Sequence, residues 1–82
     1  MNGKFQPRDL VYNRNATEDG AIRKVYETQG ATMYEVAVPL HGDAWASGFC
    51  ISDWAEDALQ LSDNVLLKSA TLAVPDSNLF VL

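Results

Sequence analysis

The sequence predicts an all-β fold of five short strands, with one helical turn before the last strand and an apolar C-terminal extension. Three observations predict it. The chain has 82 residues, 48% of them apolar and 21% charged, which describes one small ordered domain. Short runs rich in β-branched and aromatic residues are separated by Gly, Pro, Asn and Asp. Residues 63–82 hold eleven apolar side chains in twenty, far too many for a solvated tail. At this size roughly 60–65% of the unfolded surface can be buried, so the length excludes a doubly wound nucleotide-binding fold or a (β/α) barrel.

Leu10-Val11-Tyr12, between Pro7-Arg8-Asp9 and the polar run Asn13 to Asp19, reads as the first strand and its loop. After Gly20, the large apolar residues Ile22, Val25 and Tyr26 fit neither strict alternation nor a helix, and a bulged or strongly twisted strand accommodates them. Thr28 to Thr32 forms a turn. Met33 to Val38 is then the clearest strand, with Tyr34, Val36 and Val38 on one face and Met33, Glu35 and Ala37 on the other. Pro39 is expected to end its ladder, with Leu40-His41-Gly42-Asp43 as a loop.

A fourth strand carries Phe49 and Ile51 on one face and Cys50 and Ser52 opposite, with Gly48 marking a bend. Asp53, with Glu56 three residues on, suggests a capped helical turn over Asp53 to Asp57, and Leu59-Gln60-Leu61 alternates as the fifth strand. One helix from Trp54 to Leu61 is the rival. The domain division expected is a β-barrel over residues 1–62 and an extension over 63–82, which Pro75-Asp76-Ser77-Asn78 splits into two pieces.

This order resembles the Src-homology-3-like small barrels of the Tudor, KOW and chromo-related type. Phe5-Gln6-Pro7-Arg8-Asp9-Leu10-Val11 resembles their Pro-Gly-Asp-x-Val lead-in, with Arg8 where glycine is usual. Asp19-Gly20-Ala21-Ile22-Arg23-Lys24-Val25-Tyr26 is similar to their Gly-x-Ile-x-x-Val second strand, and Trp54 to Leu61 looks like the turn into the closing strand. The resemblance implies a peptide-binding, methyl-lysine-binding or assembly module. KOW-type barrels that bind RNA or the ribosome tend to be basic around the first loop, whereas here Arg14 faces Glu18 and Asp19.

The net charge is −5, divided as +2 over residues 1–24 and −7 over residues 25–82. An acidic surface repels phosphate backbones, which argues against a nucleic-acid partner; the bases available for one are Arg8, Arg14, Arg23 and Lys24. Single Cys50 forms no internal disulfide, and with His41 it cannot complete a zinc site, so neither cofactor nor metal is expected. With no apolar secretion-signal core and no stretch long enough to span a bilayer, a reducing cytoplasm is the simplest address.

Cys50, His41, Asp43 and Asp53 are the set from which a nucleophile, base and orienting acid could be drawn, but cysteine in an apolar strand ordinarily packs as a small hydrophobe. Trp45 is expected in a loop, among small residues that cannot cover an indole. With Tyr12, Tyr34 and Asp43 it is the candidate surface for a cation or a proline-rich peptide. Leu66, Leu72, Val74, Leu79, Phe80 and Leu82 are the candidates for self-association, because the extension must cover itself on its own barrel or on a second copy. The function expected is a non-enzymatic interaction or assembly module that forms a homo-oligomer, with a small Cys/His enzyme and an RNA-associated barrel as alternatives.

Overall fold

The computed structural model describes residues 3–41 and 44–73. Its strands are β1 (Leu10–Asn13), β2 (Glu18–Thr28), β3 (Ala31–His41), β4 (Ala44–Ala55) and β5 (Leu59–Leu61). A 3-10 turn, Glu56–Ala58, joins β4 to β5, and a helix, α1 (Val65–Leu72), follows. All pairings are antiparallel, in the order β4-β3-β2-β1-β5. The sheet curls into a barrel-like body without closing, since β4 and β5 remain its two edges.

Two apolar clusters, one on each sheet face, hold the fold together. Val11, Ile22, Tyr34, Val36, Val38, Trp54 and Leu59 form the larger, with Phe5 and Val25 packed against it. Gly20 is buried there because a Cβ would stand 2.4 Å from Val36 Cγ1 and 3.2 Å from the Trp54 ring. On the other face a row crosses four strands, Leu10 to Ala21 to Ala37 to Ile51. Its two alanines make a low floor on which Leu67 of α1 is wholly buried, with Trp45 and Phe49 beside it. Full burial of one such leucine contributes about 1.5–3 kcal/mol.

The strands follow local chemistry. The expected irregularity in β2 is a register shift between Ile22 and Lys24, which inserts Arg23 and lets both Ile22 and Val25 reach the larger core. Thr28 pairs with Ala31 across Gln29-Gly30, both at positive φ (52° and 79°), the geometry of a two-residue type I′ hairpin. Asp9 N–H donates to Gln6 O at 3.0 Å around Pro7 and Arg8. Arg8 has φ 81°, the position of a type II turn that prefers glycine. Holding a residue with a Cβ there costs about 1–2 kcal/mol.

Several expectations are corrected. β2 begins at Glu18, so the first loop is shorter than the polar run, and Asn13 Oδ1 closes it by accepting from Asn15 N and Ala16 N at 2.9 and 3.0 Å. Pro39 does not end β3. The β2 ladder stops at Ala37, and Pro39 pairs with Phe49 of β4 alone, so its missing N–H interrupts nothing on the other side. Asp53 and Trp54 belong to β4, and the 3-10 turn begins at Glu56 with no side-chain cap. The backbone there is held instead by Arg14, whose N–H donates to Ala58 O at 2.9 Å and whose guanidinium donates to Leu59 O at 3.1 Å and to Asp57 O.

Candidate interaction surface

The extension starts with a polar relay that sets where α1 begins. Asp19 of β2 accepts from Ser62 Oγ at 2.6 Å and from Asn64 Nδ2 at 3.2 Å. Ser62 Oγ accepts in turn from Asn64 N at 3.0 Å, and Asn64 Oδ1 caps the helix by accepting from Leu67 N at 3.0 Å. An asparagine in this role satisfies a donor the first turn cannot pair internally. One turn later Thr71 Oγ1 donates to Leu67 O at 2.7 Å and accepts from the Trp45 indole Nε1 at 3.0 Å.

Trp45 is therefore a residue of β4 that meets the helix, not a displayed loop residue. Its ring is half-buried and stands edge-on to Phe49, with centroids 6.2 Å apart. Arg23 lies over the other ring of this pair, 5.9 Å from the Phe49 centroid, and bonds Glu35 at 3.1 Å. The aromatic group expected around Trp45 does not assemble. Tyr34 is wholly buried on the opposite face of the sheet, where its hydroxyl donates to Glu56 Oε2 and accepts from Phe5 N at 3.2 Å. Tyr12 is half-buried on β1, three strands from β4 and roughly 14 Å across the sheet. Asp43 lies outside the described residues.

The Tyr34 hydroxyl donates to the Glu56 carboxylate. Glu56 also accepts from Lys4 N at 2.7 Å, so it ties residues 4 and 5 to the 3-10 turn. The Tyr34 hydroxyl and then the Lys4 amide hold the Glu56 carboxyl below the ordinary carboxylate value. Burial, followed by the Glu56 hydrogen bond, pushes Tyr34 up. Tyr26 donates to Asp53 Oδ1 at 2.8 Å, and that hydrogen bond raises it as well.

Cys50 is exposed opposite Val38, and His41 lies three positions further along β3. Among the described residues no three His, Cys, Asp or Glu side chains are grouped to hold a metal ion, and no helix is long and apolar enough to cross a membrane. Of the four bases weighed for nucleic acid, Arg14 is engaged by backbone carbonyls and Arg23 by Glu35.

The outer face of α1 exposes three large apolar side chains beside Lys68 and Ser69. Val65, Leu66 and Leu72 are 71%, 68% and 84% exposed, and Leu61 of the adjoining edge strand is 62% exposed. Of the residues expected to self-associate, Leu66 and Leu72 are exposed, while Val74, Leu79, Phe80 and Leu82 lie outside the described residues. Compared with protein-family models, curated proteins and solved structures, the chain matches none.

Proposed function

We propose that this protein is a non-enzymatic assembly module of the Src-homology-3-like barrel type, which self-associates through its C-terminal extension. One observation carries the reading: α1 buries Leu67 and Thr71 against its own sheet and still presents Val65, Leu66 and Leu72 to solvent. A helix already docked on its inner side has a geometry that a partner can meet without paying to order it. The barrel type is supported by the strand order and by the 3-10 turn between β4 and β5, the place where the resemblance puts it.

A second copy is the occupant that charge favours. The chain carries −5, so two copies repel except where acids are absent, and residues 65–72 contain Lys68 as their single charge. Beside them Asp63 is exposed, so two such faces bring opposite charges to the rim of an apolar contact. The β4 edge adds to the case, because residues 44–52 form an edge with no charged side chain to discourage strand pairing.

The test is light scattering over a concentration series on the full chain and on Leu66→Glu/Leu72→Glu. Both positions are exposed, so the variant is expected to keep its fold. The full chain is expected to give a mass that rises to a defined oligomer, and the variant to remain at 9.0 kDa. A full chain that stays monomeric throughout removes the proposal.

A further inference from the structure

We propose that the segment ahead of β1 is an exchangeable arm: when two copies associate, residues 3–7 of each dock on the larger core of the other. The inference rests on the self-association reading and goes beyond it, to the contact that locks the pair. The first observation is that this segment is held as a bound peptide would be. Lys4 N–H donates to Glu56 Oε2 at 2.7 Å, and Phe5 N–H donates to the Tyr34 hydroxyl at 3.2 Å. The Phe5 ring stands edge-on to Tyr34, with centroids 5.7 Å apart, and packs against the larger core. At Gly3 the backbone passes so close to Tyr34 that a Cβ would lie 2.6 Å from its hydroxyl. Residues 3–7 belong to no strand, so an identical segment from a second copy can fill this seat and restore each of these contacts.

The backbone supplies the second observation, a strained hinge. Arg8 is held at φ 81° in the type II turn that folds the arm back, a position glycine prefers. A single copy cannot straighten Arg8 without unseating Phe5, whereas in an exchanged pair both turns open and both rings stay seated. Short hinges under strain favour such exchange. The opening breaks the bonds from Asp9 N–H to Gln6 O at 3.0 Å, from Gln6 N–H to Asp9 Oδ2 at 3.0 Å and from Arg8 N–H to Ile22 O at 2.8 Å. Gln6, Pro7 and Arg8 are exposed, so water takes the vacated places. Release of the strain shifts the balance toward exchange by about tenfold per turn. The third observation is position. Arg8 borders the same recess as Leu61, Lys68 and Leu72, so association through the α1 face brings the two hinges together and offers each arm a second seat at high local concentration.

Isotope-filtered NOE spectroscopy tests it, on isotope-labelled and unlabelled full chain equilibrated together at a concentration where light scattering shows the oligomer. Tyr34 is wholly buried, so a cross-peak between the Phe5 ring of one copy and the Tyr34 ring of another arises only when an arm has crossed. That cross-peak is expected in the parent chain. In Arg8→Gly, whose turn closes without strain, the exchanged fraction is expected to fall about tenfold or more while the oligomer keeps its mass. An oligomer that lacks the intermolecular Phe5 to Tyr34 cross-peak overturns the exchange and leaves self-association standing. A chain that stays monomeric at every concentration removes both. Exchange in Arg8→Gly as complete as in the parent would deny the hinge its role and overturn the inference.

Discussion

The indole nitrogen of Trp45 donates to the hydroxyl of Thr71 at 3.0 Å, and through it the first residues of β4 hold the last turn of α1. Thr71 spends its own proton on Leu67 O, so one hydroxyl is satisfied from both sides in a buried setting. Trp45→Phe keeps the ring against Phe49 and removes the donor. The expected cost is about 1 kcal/mol by denaturant titration. Larger losses confined to α1 are expected in its amide exchange. An unchanged helix in that variant would separate α1 docking from this bond.

Gly20 is a packing requirement, because its Cα lies under Trp54 and Val36. Gly20→Ala forces the Val36 side chain to shift and crowds the Trp54 ring, and should destabilise the protein by about 1–3 kcal/mol, read from chemical denaturation. A near-neutral result would mean that the larger core yields more easily than its contacts imply.

The hairpin between β2 and β3 can be improved. Both of its loop residues have positive φ, and glutamine is a poor occupant of the first. Gln29→Asn is expected to raise stability by a few tenths of a kcal/mol to about 1 kcal/mol, with the fold unchanged. A loss would contradict the turn geometry.

Glu56 gives the protein an acid limit. Its carboxyl is held below the ordinary value of 4.5, chiefly by the Tyr34 hydroxyl, so its contribution is complete above pH 4.5 and is lost as pH falls through the lowered value. Tyr34 is raised above 10.0, so its contribution is complete below pH 10 and is lost as pH climbs through the raised value. Glu56→Gln should therefore flatten the stability profile below pH 4.5. A variant as steeply acid-sensitive as the parent would assign that limit to other carboxylates.

What could be read in the sequence follows from how local each signal is. The β2 bulge was legible because Ile22, Val25 and Tyr26 cannot all face one core along a regular strand, and that conflict is contained within five residues. Arg8 is marked only by the resemblance, which puts glycine at its position, and its φ of 81° is the backbone conformation that glycine favours. A loop is the local reading of Trp45 because its cover, Thr71, lies 26 residues away. Tyr34 reads locally as a binding ring because its polar partner, Glu56, lies 22 residues away. Helix α1 escaped a periodicity reading because Val65, Leu66, Leu67 and Leu72 distribute apolar surface all round it; Asn64 as an N-cap was the one local sign. Pro39 misled because its effect depends on which neighbour strand lies alongside, and β2 does not extend that far.

The decisive measurement is amide and methyl protection across Val65–Leu72, followed by hydrogen exchange and solvent-accessibility NMR at increasing protein concentration. The Leu67 side chain is expected to be shielded at every concentration, and Val65, Leu66 and Leu72 to lose their solvent exposure as copies associate. Exchange of this segment at the rate of an unfolded chain, or three outer side chains equally wet at the lowest and highest concentrations, would contradict this.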